Sequence, residues 1–158
     1  MSKPPKWISH RGLKESAAEN TLQAFQDAVA SGYTHLETDL RTSVDGYIVL
    51  AHDASLTRIY GIQRNVEDCT ADELRHICSP DGQKLLFFED FLAHFGQLEL
   101  TLDIKPEQGL RTLNALKKWL ITHDADLKLL RHSRFLFWEA EQQAYWTAQF
   151  PQSVCLAT

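Results

Sequence analysis

The chain has 158 residues, 44% of them hydrophobic and 23% charged, with a formal net charge of −5, which suits one globular domain with a real core. The acidic balance gives no electrostatic basis for binding nucleic acid or an anionic membrane surface, so an anionic substrate would have to be drawn by a few local cations or a metal. No apolar run approaches the ~20 residues that span a bilayer, no apolar signal core follows the basic start Met1-Ser2-Lys3-Pro4-Pro5-Lys6, and Cys69, Cys78 and Cys155 have neither metal nor redox spacing and read as free thiols of a cytoplasmic protein.

Trp7-Ile8-Ser9 predicts a brief buried strand running into His10-Arg11-Gly12. Apolar positions Leu22, Phe25, Ala28 and Val29 then recur at helical spacing. Asn20 is the expected N-cap, with Gln23 closing a capping box and Gly32 ending the helix. His35-Leu36-Glu37-Thr38-Asp39-Leu40-Arg41 has the period of a strand, with Glu37, Asp39 and Arg41 on one face and Leu36, Thr38 and Leu40 on the other. The opening is thus a β-α-β unit, and its connecting helix implies a parallel sheet.

Asp45-Gly46 signals a turn, and the apolar strand Tyr47-Ile48-Val49-Leu50-Ala51 delivers His52 and Asp53 at its end. An irregular stretch follows to about Val66, then a short helix opened by the capping box Thr70-Ala71-Asp72-Glu73, and a further helix from Phe87 to Phe95 ended by Gly96. From Gln97 to Lys105 the alternation returns, with Leu98, Leu100, Leu102 and Ile104 on one face and Glu99, Thr101, Asp103 and Lys105 on the other, stopped by Pro106. A helical stripe through Leu110, Leu113, Leu116, Trp119 and Leu120, a strand Arg134 to Trp138, a helix Glu141 to Phe150 and a short strand Ser153 to Leu156 complete the reading.

Strands alternating with helices, with polar groups at strand carboxyl ends, define an α/β chain of the (β/α) TIM-barrel type. Such barrels use eight units and ~250 residues. About five strands are present here, so residues 1–158 read as a single incomplete domain, truncated on its C-terminal side. The expectation is two unpaired edges and apolar outer strand faces, such as Leu98, Leu100 and Leu102, that favour association into a homo-oligomer.

Glu37, Asp39 and Asp103 are carboxylates on the polar faces of two strands. Hard oxygen donors of this kind suit magnesium, calcium or manganese, although each alone could equally cap a loop or pair with Arg41 or Lys105. Of the seven histidines, His10 and His52 stand where a strand gives way to a loop, and an ordinary pKa of ~6.5 lets such a pair divide acid and base work. Arg11 and Lys105 beside them suit a phosphate, Arg by bidentate hydrogen bonds and Lys as a point charge. Together these groups describe metal-assisted phosphoryl chemistry.

The set His10-Arg11-Gly12, Glu19-Asn20-Thr21, Glu37-Thr38-Asp39, Thr42-Ser43-Val44-Asp45-Gly46, His52-Asp53-Ala54-Ser55-Leu56-Thr57-Arg58 and Leu102-Asp103-Ile104-Lys105 resembles the glycerophosphodiester phosphodiesterase family in order and spacing. The resemblance implies a TIM-barrel fold, a divalent cation (calcium or magnesium) and hydrolysis of a glycerophosphodiester to glycerol 3-phosphate and an alcohol, within lipid and glycerol metabolism. It makes His10 and His52 the catalytic acid and base, without saying which is which. It makes Glu37, Asp39 and Asp103 metal ligands, and Arg11 and Lys105 the substrate-binding residues on the phosphate. Asp103 stands at a position that is commonly Glu, so a cation would sit closer to that strand or be bridged by water. Glu19 and Asn20 read as structural. Ala18 stands where the family usually has Pro, Leu85-Leu86-Phe87-Phe88-Glu89-Asp90 departs from the usual helix entry, and the family's last strands with their pocket aromatics are absent. A related phospholipase or lyase would share the same groups. The rival reading is a non-catalytic barrel fragment that binds a partner or a second copy of itself.

Overall fold

The computed structural model describes residues 6–158, so the first five residues of the basic N-terminal segment lie outside it. The opening strand β1 is Ile8–His10. Its neighbour β2, His35–Thr42, is buried along its whole length, so its acidic face is not a solvated one. The strands β4, Glu99–Ile104, β5, Ser133–Phe137, and β6, Val154–Ala157, follow the hairpin strand β3, Ile48–Leu50. The parallel order is β1-β2-β4-β5-β6, with β3 antiparallel to β2. β1 pairs with the first part of β2 and β3 with its last part. The sheet therefore has six strands, five of them parallel as the helical connections predict, with β3 added antiparallel.

The helices α1, Leu22–Ala30, α4, Phe88–Phe95, α5, Gly109–His123, and α7, Ala140–Gln149, cover one face of this sheet. Their Phe25, Phe91, Leu116 and Trp146 join Leu36, Leu40, Leu100, Leu102, Ile104, Phe135 and Phe137 of the strands in one core. Each fully buried side chain of this kind contributes ~2 kcal/mol by removing apolar area from water. Leu100 and Leu102 are fully buried, which corrects the expectation that they form an open apolar surface: they belong to one core with Phe91 of α4 and Leu113 and Leu116 of α5. Within the described strands, the large apolar residues left exposed are at the margins, Ile8 on β1 and Val154 and Leu156 on β6.

A second core occupies residues between β3 and α4, with Val49, Leu56, Tyr60, Val66, Leu74, Ile77 and Phe87 packed together. It holds the short helices α2, Thr57–Tyr60, and α3, Ala71–Arg75, and a 3-10 turn at Val66–Asp68. The capping box at Thr70 is present as expected. The stretch read as irregular contains α2, four residues ended by Gly61 at φ 71°, too short to show a period. The short α6, Lys128–His132, is unforeseen for the same reason.

Two expectations near the N-terminus are corrected. Trp7 and Ile8 are exposed at 74% and 45%, because β1 is an edge strand rather than a buried one. The cap of α1 is Thr21, whose side chain accepts from the Ala24 amide. Asn20 instead adopts a left-handed φ of 57° and turns its amide toward β2.

Candidate functional site

In-register pairing brings the polar groups together. His10 lies opposite Glu37, and Asp39 lies opposite Asp103. Side chains at i and i+2 share a face, so His10, Glu37, Asp39, Asp103, Lys105 and, beyond β5, Trp138 belong to the face that the helices leave free, toward the strand carboxyl ends.

Oxygens of Glu37, Asp39 and Asp103 lie within 4.8 Å of one another and all three residues are buried. Lys105 Nζ donates to Asp103 Oδ2 at 2.8 Å. It also lies 3.0 Å from Asp39 Oδ1, and Arg11 Nε lies 3.1 Å from Asp39 Oδ2. Both are charge pairs that hold the Asp39 carboxylate, whereas the buried Glu37 Oε2 has no hydrogen-bond donor. Asn20 Nδ2 donates to Asp39 Oδ2 at 2.9 Å while the Thr38 hydroxyl donates to Asn20 Oδ1 at 2.8 Å.

Burial is the largest influence on Asp39 and opposes its ionisation, but Lys105, Asn20 and Arg11 overcome it and hold the carboxyl below its ordinary value. Glu37 goes the other way. Burial, then the charges of Asp39 and Asp103, push it up to about 8. Three carboxylates against two cations leave one negative charge, which a proton on Glu37 cancels. A divalent cation would more than offset it with Glu37 ionised, and the donor-free buried Glu37 Oε2 in an all-oxygen set fits such an ion. Asp103 offers its remaining lone pairs, since Oδ1 accepts from Trp138 Nε1 at 2.8 Å and Oδ2 from Lys105.

His10 Nε2 stands 3.7 Å from Glu37 Oε2. Burial, with Arg11 and Lys14, holds its pKa below the ordinary value. The ring of His52 is placed by its neighbour, because Nδ1 lies 2.7 Å from Asp53 Oδ1. Arg58, with the His52 contact behind it, holds Asp53 down at about 2, so the carboxylate can only accept and Nδ1 carries the proton. That leaves Nε2 of His52 for chemistry.

Sequence reasoning assigns no site role to Asp53, Arg58 and Trp138, and offers Arg41 only as a pairing partner for a carboxylate. Arg41 donates to the His52 carbonyl from Nε at 3.1 Å and from its second terminal nitrogen at 2.7 Å. It also pairs with Glu67 at 2.8 Å and Glu107 at 3.2 Å. It thereby ties the loop carrying His52 to the strand carrying Glu37 and Asp39. Arg41→Met strands the buried Glu67 carboxylate, and the expected loss of stability is about 3–5 kcal/mol, measured as a lower urea midpoint. Arg41→Lys should lose less, since a lysine keeps the charge but not the fork.

The fold and the site together define a partial (β/α) barrel with an acidic, histidine-bearing cluster at the carboxyl ends of its strands. Residues 10–143 match the model of the glycerophosphoryl diester phosphodiesterase family. The chain belongs to that family. It is 33% identical over 121 residues to a glycerophosphodiester phosphodiesterase of Caldanaerobacter subterraneus, with 72% of this chain and 50% of that protein covered. To a lysophospholipase D of Rattus norvegicus it is 43% identical over 111 residues, covering 62% of this chain and 35% of that protein. An Oleispira antarctica phosphodiesterase solved with its product sn-glycerol-3-phosphate superposes with a TM-score of 0.84 at 24% identity, over 97% of this chain and 65% of that one. That likeness shows the barrel fold. The chain spans half or less of the two sequence relatives named here.

Among the described residues no helix is long and apolar enough to cross a membrane. Cys69, Cys78 and Cys155 are free thiols.

Proposed function

We propose that this chain is one domain that hydrolyses a glycerophosphodiester to glycerol 3-phosphate and an alcohol in the cytoplasm. The observation that carries the reading is the approach of Glu37, Asp39 and Asp103 to within 4.8 Å, with the buried Glu37 Oε2 lacking a donor and with Arg11, Lys105, His10 and His52 around them. Calcium or magnesium held by the three carboxylates would offset charge on the phosphodiester oxygens as the reaction proceeds. Arg11 and Lys105 hold the remaining phosphate oxygens. Arg11 does so by its fork and Lys105 as a point charge. One of His10 and His52 takes the proton from the attacking hydroxyl, of water or of the substrate itself, and the other gives a proton to the leaving alkoxide. Asp53 keeps the His52 ring in the tautomer that exposes Nε2. Trp138, half exposed with its N–H on Asp103 and its ring 5.3 Å from Lys105 Nζ, stands where a substrate would meet the site.

Phosphorus NMR of glycerophosphocholine incubated with the chain and magnesium or calcium tests the reading. Glycerol 3-phosphate as the phosphorus product supports it. A cyclic phosphate as the end product assigns a lyase, and phosphocholine places the cleavage on the other side of phosphorus. The second reading, a non-catalytic fragment that pairs with another chain, is favoured by the exposure of Val154 at 50% and Leu156 at 40% on β6. Light scattering separates the two, since a stable monomer at all concentrations counts against obligate pairing.

A further inference from the structure

His52 and Arg11 reach the site from different bodies. His52 comes from just after β3, in the inserted lobe built on the second core, and Arg11 from the loop between β1 and α1, where it holds a left-handed φ of 63°. Arg58, on α2 of the inserted lobe, touches the side-chain partners of both. Its Nε donates to Asp53 Oδ2 at 2.6 Å and a terminal nitrogen donates to Asp53 Oδ1 at 3.2 Å. The same terminal nitrogen donates to Glu19 Oε1 at 2.7 Å. That Glu19 oxygen also accepts from Arg11 at 3.3 Å. An unbroken chain of contacts thus runs His52, Asp53, Arg58, Glu19, Arg11.

We propose that Arg58 is a positioning residue, which fixes the acid–base histidine of the inserted lobe relative to the phosphate-binding arginine of the barrel. The role rests on the reaction proposed above. A lone surface ion pair would contribute little, but this one differs in two respects. The fork to Asp53 is bidentate, and Glu19 at 10% side-chain exposure is a nearly buried carboxylate shared by two arginines. Burial opposes its ionisation, yet Arg58 and then Arg11 hold it below its ordinary value. The charged groups facing His52 are Asp53 on its own loop, Arg58 from α2, Arg41 from β2 at its carbonyl, and Glu19 by way of Arg58. Without Arg58, Asp53 is free to turn and the His52 ring loses its fixed partner. Glu19, left with one cation, then draws Arg11 away from Asp39. A single change at a half-exposed side chain therefore reaches both the proton-transfer step and the hold on phosphate.

The test compares the whole chain with Arg58→Gln and Arg58→Lys by two readouts. In nitrogen-resolved NMR of the histidine rings, the wild-type His52 Nδ1 should show the signature of a hydrogen-bonded proton, given its 2.7 Å approach to Asp53 Oδ1. Arg58→Gln should lose that signal and Arg58→Lys should keep part of it. In kinetics on glycerophosphocholine, Arg58→Gln should show about tenfold lower kcat and about tenfold higher KM, with partial recovery in Arg58→Lys, as a small misplacement of reacting groups produces. A His52 ring signal unchanged in Arg58→Gln overturns the proposal, whatever happens to stability. If the wild-type chain shows no turnover, the reaction fails on its own, and the ring signal still decides whether Arg58 holds His52.

Discussion

His52→Ala and His10→Ala should each slow the release of glycerol 3-phosphate by about 100- to 10,000-fold, the usual contribution of a positioned acid or base. Both side chains are well exposed, at 36% for His52 and 54% for His10. Their removal opens no cavity, so the urea midpoint should hardly move. The Asp53–Arg58 fork remains in place without the His52 ring. Because the two histidines would act in one transition state, the double variant should be little worse than the poorer single one. Initial rates beside urea unfolding check this. Losses below about threefold in both variants would remove the histidines from the mechanism.

The second large effect concerns Glu37. In protein stripped of divalent ions, its pKa stands at about 8 against an ordinary 4.5. A raised carboxyl pKa means that the folded chain binds this proton more tightly than the unfolded chain. The associated stability is fully present below pH ~4.5 and is lost as the pH rises through ~8, amounting to up to about 5 kcal/mol. Asp53, held at about 2, has the opposite dependence, but its contribution falls away only in acid. In EDTA the Tm should therefore fall between pH 5 and pH 9, and Glu37→Gln should flatten that slope. Magnesium or calcium at a hundredfold excess over its Kd should restore about 2.7 kcal/mol at pH 8, and much less in Glu37→Gln. An equal slope in Glu37→Gln would contradict the burial account of Glu37.

How the site is assembled explains what its sequence discloses. Period-two alternation places Glu37 and Asp39 on the polar face of one strand and Asp103 and Lys105 on the polar face of another, and a parallel sheet sets the two strands side by side with those faces shared. The acidic cluster is therefore foreseeable from local pattern plus one pairing. Arg41 on the same alternating face is equally visible, but its fork closes on the backbone carbonyl of His52, an acceptor that every residue has. Arg58 meets Glu19 across 39 positions of sequence, and nothing local marks that encounter. Trp138 reads as one more apolar strand residue, and only the pairing of β4 with β5 brings its N–H to Asp103. Asn20 misleads because Asn20 and Thr21 are both good caps in sequence. The choice between them is made by a buried acceptor on β2, which only the tertiary structure supplies. Leu100 and Leu102 advertise an apolar face without saying what covers it, and the core they share with the helices supplies the answer.

The most direct measurement is the rate of glycerol 3-phosphate release from glycerophosphocholine by the whole chain, with magnesium or calcium and again with EDTA, beside Asp39→Asn. Release that requires the cation, stops in EDTA and is lost in the folded Asp39→Asn variant is the predicted result. A folded wild-type chain that releases none at any concentration of either cation, or that releases equally in EDTA, would contradict it.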